Sequence, residues 1–167
     1  MTSQLTVDTI VGKTTAANVK MPDGYVVGWK SASAATALNT ASGTFTDIPG
    51  MTLNYACKYS DSIVYVIVNV HVFIPQQATN WQAAGIKILR GSDSLYADSG
   101  YGVGHYTDGA NDRFMYNISV QAASAPGNTN SLTYKVQGKK FQGTGSADFN
   151  NSSYGGGGRI TVMEIAQ

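Results

Sequence analysis

The side chains that could do chemistry are few and scattered. Four carboxylates, Asp93, Asp98, Asp108 and Asp112, fall within one Gly- and Ser-rich stretch, residues 91–112. A glycosidase needs two carboxylates held across a cleft, but Asp beside Gly and Ser is ordinary turn chemistry. The two histidines, His71 and His105, stand in no metal-ligand spacing, and Cys57 has no second cysteine to join it in a zinc site or a disulfide. Cys57 continues the odd row Met51, Leu53, Tyr55, which predicts a buried thiol rather than a reactive one. Gly100-Tyr101-Gly102-Val103-Gly104 lacks the Lys-Ser/Thr ending of a phosphate loop, and Gly155–Gly158 reads as a turn. G-x-S-x-G is absent from the chain. Asn117-Ile118-Ser119 and Asn151-Ser152-Ser153 match the glycosylation triplet, a pattern that arises readily in so Asn- and Ser-rich a chain. These residues predict no enzyme, no cofactor and no metal centre.

The element that organises the chain is Ile63–Ile74, IVYVIVNVHVFI. With a period of two, Val64, Val66, Val68, Val70, Val72 and Ile74 share one face, all β-branched. Each, once buried, contributes roughly 1.5–3 kcal/mol before entropy is counted. The opposite face carries Ile63, Tyr65, Ile67, Asn69, His71 and Phe73, too apolar for open water and too polar for a dry core. Tyr65, Ile67, Asn69, His71 and Phe73 are therefore candidates for a subunit interface, with a structural or interface hydrogen bond as the role for His71. Pro75-Gln76-Gln77 stops the apolar run at twelve residues, short of the roughly 20 that a membrane helix needs.

Around it, short strand signals alternate with turns. Tyr25–Lys30 reads as a strand, 31–42 as a small-residue connector, Thr44–Ile48 as a strand ending at Pro49-Gly50, and Met51–Cys57 as another. Residues 76–84 read as a loop carrying Trp81, followed by a strand at Ile86–Arg90; 91–112 read as one long irregular region. Strands follow at Arg113–Ala122, around Leu132, Tyr134 and Val136, and at Ile160–Ile165, with loops on either side of Phe149. Eight to ten such strands predict an all-β fold, an antiparallel β-sandwich or jelly roll spanning residues 25–167. Residues 1–24 read as an extended N-terminal arm: Leu5, Val7, Ile10, Val19 and Met21 cannot bury themselves in so short a segment, so the arm should dock on another subunit or protein.

At 167 residues one domain is expected. A charged content of 13% and a formal net charge of +1 carry no signature of a nucleic-acid or anionic-membrane binder. The N-terminus has no secretory signal pattern, so export by a signal of its own is not expected.

Three segments of the arm, Leu5-Thr6-Val7-Asp8-Thr9-Ile10, Gly12-Lys13-Thr14-Thr15-Ala16 and Val19-Lys20-Met21-Pro22, together resemble the leader of fibre and virion structural proteins of tailed bacteriophages, notably cyanobacterial phages. Thr44–Met51, Lys87–Ser92 and Ile160–Ile165 are similar to the β-rich knob that follows that leader. The resemblance implies a homotrimer located in the virion, its arm docked on the major capsid protein or on a tail or fibre adaptor. With no shaft ahead of the leader, the chain resembles a free-standing accessory protein: a capsid decoration (cement) protein or short head fibre. The alternative is the receptor-binding tip of a tail fibre, contacting a host surface glycan or protein through Trp81, Tyr96, Tyr101, His105 and Tyr106, since aromatic rings stack on sugar faces. A third reading is a lectin-like or cytokine-like trimer with no virion.

Overall fold

The computed structural model describes residues 22–74, 80–98, 102–107, 113–143, 145–154 and 157–167. The predicted arm residues Leu5, Val7, Ile10, Val19 and Met21 lie outside them, as do Tyr101, Asp108 and Asp112. Eleven strands are described: β1 Val26–Ser33, β2 Leu38–Thr40, β3 Thr46–Ala56, β4 Ile63–Ile74, β5 Asn80–Arg90, β6 Asp93–Ala97, β7 Val103–Thr107, β8 Phe114–Ser124, β9 Ser131–Gln142, β10 Ala147–Phe149 and β11 Arg159–Ile165. No helix among the described residues is long and apolar enough to cross a membrane.

β4 is the axis of the larger sheet. One edge pairs along its whole length with β8, from Val64↔Ser124 to Ile74↔Phe114. The other edge pairs first with β11, from Ile63↔Ile165 to Asn69↔Arg159, and then with β10 at Val72 and Phe73. β1 extends the sheet beyond β11, and β2 extends it beyond β10. The smaller sheet runs β3-β9-β5-β6, with β7 on the same edge of β5 as β6. All of these pairings are antiparallel. The pairs β1·β11, β3·β9, β4·β8 and β5·β6 nest inside one another, as in a long hairpin rolled into two layers. That is jelly-roll topology, and the chain is an all-β antiparallel sandwich.

The period-two pattern decides which residues line the core. Val64, Val66, Val68, Val70, Val72 and Ile74 are all buried, facing Ile48, Met51 and Leu53 of β3, Ile86 and Ile88 of β5, and Tyr134 and Val136 of β9. On β8 the half-buried positions are Phe114, Tyr116, Ile118 and Val120, alternating with exposed neighbours as the sequence predicts.

Several boundaries differ from the sequence reading, each for a local reason. Pro49-Gly50 does not end a strand. It forms a bulge inside β3, where the register shifts between Asp47 and Thr52 and Gly50 takes φ 81°. A Cβ at Gly50 would stand 2.3 Å from the Ala35 nitrogen, so the bulge also seats the connector after β1. That connector is shorter than predicted, because β1 runs on to Ser33 and Leu38–Thr40 pairs with β10. Trp81 lies in β5 rather than in a loop, and the supposedly irregular 91–112 contains β6 and β7. Phe149, expected between two loops, sits in β10 with its ring packed over Gly138, where a Cβ would come within 2.8 Å of it.

Glu164 is the least expected core residue. Its side chain is fully buried in β11 and is held by hydrogen bonds. Oε2 accepts from the Tyr55 hydroxyl at 2.7 Å, and Oε1 accepts from the Lys58 and Tyr59 amides at 2.8 and 3.2 Å and from the Ser62 hydroxyl at 2.7 Å. The carboxylate thus replaces a strand partner for the turn between β3 and β4, and fixes where β4 begins.

Candidate functional site

The outer face of the larger sheet follows directly from the register. Reading across β1, β11, β4 and β8, the rows are Val26, Ile165 and Ile63, then Trp29, Met163, Tyr65 and Ala123. Two further rows follow, Ser31, Thr161, Ile67 and Gln121, and then Ser33, Arg159, Asn69 and Ser119. The face ends with His71 beside Asn117 and Phe73 beside Met115. In these six rows Arg159 is the single charged residue. Trp29 is 69% exposed, Met115 60% and Tyr65 41%; Val26 is exposed with them, and Tyr25 stands just ahead of β1. Of the described large hydrophobic side chains that are exposed, Trp81 alone lies elsewhere.

The opposite outer face, on the smaller sheet, is built differently. Lys135 is 3.0 Å from Asp47, Gln137 donates to Asp47 at 2.6 Å, and the Lys139 ammonium lies 4.5 Å and 3.8 Å from the ring centroids of Phe45 and Phe141. Desolvation opposes, and the Gln137 and Lys135 contacts outweigh it, so the Asp47 carboxyl sits below its ordinary range. On that face Asp47 is matched by Lys135 and Gln137, and the Lys139 ammonium lies over aromatic rings.

The expected interface residues share the first of these faces but are not equally available. Tyr65 and Asn69 are exposed and Ile67 is half-buried, whereas His71 and Phe73 are buried within the chain itself. Both lie where β10 and Asn150 join the edge of β4. Asp148 pairs with Phe73, and Asn150, at φ 57°, bonds the His71 backbone twice, donating its amide to the carbonyl at 2.7 Å and accepting the His71 amide on Oδ1 at 3.0 Å. His71, Asn69, Asn117 and Ser119 line a cleft of about 230 Å³ beside Gly157 and Gly158. Nδ1 of His71 is buried there with no hydrogen-bond partner among the described residues, and burial lowers the imidazole's pKa, so the ring is neutral at pH 7.

The described members of the predicted aromatic contact set lie on three strands, β5, β6 and β7. Trp81 is an exposed residue of β5, opposite Tyr106 of β7, and His105 is opposite Gln82. Tyr96 is half-buried in β6, its hydroxyl donating to Asp98 Oδ1 at 2.5 Å, which together with burial raises it to about 12. Asp98 Oδ2 accepts the Ile86 amide at 2.7 Å and so continues the pairing of β5 where β6 ends. Asp93 forms an ion pair with Arg90 at 2.8 Å. Both described candidate carboxylates are structural groups. Cys57 is buried, and its thiol is pushed up to about 11 by burial and then by the Glu164 charge.

Sequence reasoning missed Trp29, Met163 and Val26 on the exposed face. The strand YVVGWK was legible, but a bulge between Val26 and Gly28 puts both Val26 and Trp29 on the outer side, which simple alternation forbids.

No family model matches this chain, and no curated protein sequence is detectably similar to it. Solved structures to which the chain shows similarity include the Gx strain of infectious bursal disease virus (TM-score 0.40, 12% identity over 85% of this chain) and the Gt strain (TM-score 0.38, 10% identity over 84%). A mutant VP2 protein of the same virus, in T=1 particles, aligns with TM-score 0.35 and 10% identity over 84% of the chain. The present chain spans 36–38% of the length of those proteins.

Proposed function

We propose that this protein is a non-enzymatic structural subunit of a tailed-phage virion, a trimeric capsid decoration protein or short head fibre. Its outer β1-β11-β4-β8 face meets neighbouring copies about the threefold axis. The observation that carries the assembly reading is the concentration of Tyr25, Val26, Trp29, Tyr65 and Met115 on one sheet face and its leading edge. The rows of Val26, Trp29 and Tyr65 are adjacent, and an exposed apolar cluster of this kind marks interaction sites. The phage assignment rests on the leader segments Leu5–Ile10, Gly12–Ala16 and Val19–Pro22. The arm, residues 1–24, docks on the major capsid protein or a tail or fibre adaptor. Gly24 and Tyr25 are bonded to Ala166, so the arm leaves the domain beside the apolar end of that face.

The test is attachment. A chain lacking residues 1–21 should fold and oligomerise like the full chain yet fail to bind purified capsids. Full binding by the truncated chain would overturn the arm's role. Copy number per virion, from quantitative mass spectrometry, then separates decoration (hundreds of copies) from a fibre (a few tens or fewer). The second reading, a receptor-binding tip for a host surface glycan, is favoured by one observation: Trp81 is exposed, apart from the apolar face, as a stacking platform would be. Trp81→Ala would then abolish cell binding and leave assembly intact.

A further inference from the structure

The edges of the two sheets are guarded unequally. β1 carries a bulge and ends its sheet with Lys30 bonded across to Asn54; β3 is bulged at Pro49-Gly50; β6 has five residues, a register shift and Asp93; β2 has three residues. Each is a recognised way of making an edge unfit for pairing. β8 has none of them. Phe114–Ser124 is eleven residues long, contains no charged residue, no proline and no glycine, and pairs without a register shift to β4 alone among the described residues. From Met115 to Ser124 no described strand pairs with its other edge, which offers a row of backbone donors and acceptors.

The sequence of β8 also complements itself. Laid antiparallel about Ser119, all eleven residues find partners: Phe114 opposite Ser124, Met115 opposite Ala123, Tyr116 opposite Ala122, Asn117 opposite Gln121 and Ile118 opposite Val120. Large side chains meet small ones, amide meets amide, and the two β-branched residues meet each other. The outward-facing positions 115, 117, 119, 121 and 123 are all exposed in the single chain and stay on one side of the joined sheet, as the period of two requires. Cross-strand pairs of this kind are what stabilise a sheet.

We propose that β8 joins two copies of this chain edge to edge about a twofold axis through Ser119, making one continuous sheet from two larger sheets. The contact is isologous. It uses the backbone edge of β8, whereas the threefold contact is centred on the exposed side chains Val26, Trp29 and Tyr65 of β1 and β4, so the two can coexist, and position-specific cross-linking at 119 reads the first without the second. Together a twofold and a threefold contact tie trimers into a larger closed or extended layer, which suits a protein that covers a surface.

The test is directed disulfide formation in the full chain, read on a non-reducing gel after oxidation. A twofold at residue 119 brings the two copies' Cα atoms to about 4.5–5.5 Å, within disulfide range. Ser119→Cys should therefore cross-link quantitatively to a species of twice 17.6 kDa. Position 117 of one copy lies about 14 Å along the strand from position 117 of the other. Asn117→Cys alone, and Gln121→Cys alone, should thus stay uncross-linked, while an equimolar mixture of the two should form heterodimers. Adding Asn117→Glu and Gln121→Glu to Ser119→Cys places like charges opposite each other and should abolish the cross-link. These positions are exposed, so the fold is not at stake, and native Cys57 is buried. No cross-link at 119, or equal cross-linking by all three single variants, would overturn the proposal.

Discussion

Replacing Glu164 with alanine should be the most damaging single change outside the aliphatic core. The carboxylate is fully buried, yet no cation neutralises it among the described residues; four donors do that work instead. The Tyr55 and Ser62 hydroxyls can turn to new acceptors, but the Lys58 and Tyr59 amides are fixed by the turn. Each buried donor left without a partner costs about 1–3 kcal/mol, so two stranded amides plus the cavity imply a loss of roughly 3–5 kcal/mol. In a domain of this size that lowers Tm by about 2–4 °C per kcal/mol, roughly 6–20 °C in total. Glu164→Gln keeps an oxygen for the amides and loses only the charge-assisted part, about 1–2 kcal/mol. Tyr55→Phe, which removes one donor, should cost less in the Glu164→Gln background than in the native chain. Urea unfolding of the native chain and these four variants measures all of this. A Glu164→Ala loss under about 1 kcal/mol would refute the assignment of the turn to this carboxylate.

Other outcomes follow from the same geometry. The His71 imidazole is held below its ordinary value of 6.5 by burial, so the unfolded chain takes up the proton first as pH falls. Stability should be complete above about 6.5 and decline toward pH 5, and His71→Asn should flatten that part of a stability-against-pH curve. Cys57 behaves in the opposite sense: its contribution is intact below about 9 and is lost as pH rises through about 11, and the folded protein should react with a thiol reagent at pH 8 far more slowly than the unfolded one. Gly50→Ala forces a side chain onto φ 81° and into the Ala35 backbone, a loss of more than about 2 kcal/mol by chemical denaturation.

The legible parts of this fold were those where one strand's own alternation decides the outcome. The Val64–Ile74 row specifies the core face of β4 without help from any neighbour, and Phe114, Tyr116, Ile118 and Val120 do the same for β8. What stayed hidden depends on partners far away in sequence. Trp81 sits beside Gln, Ala and Gly, a poor strand by propensity, and is in a strand because β7 pairs with it and β9 with the residues that follow. Ala147–Phe149 is ordered by Leu38–Thr40 and by β4, more than seventy residues upstream. The burial of Glu164 in the terminal strand depends on four donors from residues 55–62, a relation no local pattern records. On the candidate face, Tyr65, Ile67 and Asn69 were readable as a mixed row, but the joining of Asp148 and Asn150, from the other end of the chain, to β4 at His71 and Phe73 was not.

Light scattering on the full chain and on Trp29→Glu, at matched concentration, puts the apolar face itself to the test. If that face joins copies about a threefold axis, the native chain should weigh three times 17.6 kDa, or a multiple of that, and Trp29→Glu should fall below three copies while keeping its unfolding midpoint. A native chain that runs as a 17.6 kDa monomer with Trp29 still solvent-exposed would contradict the assembly.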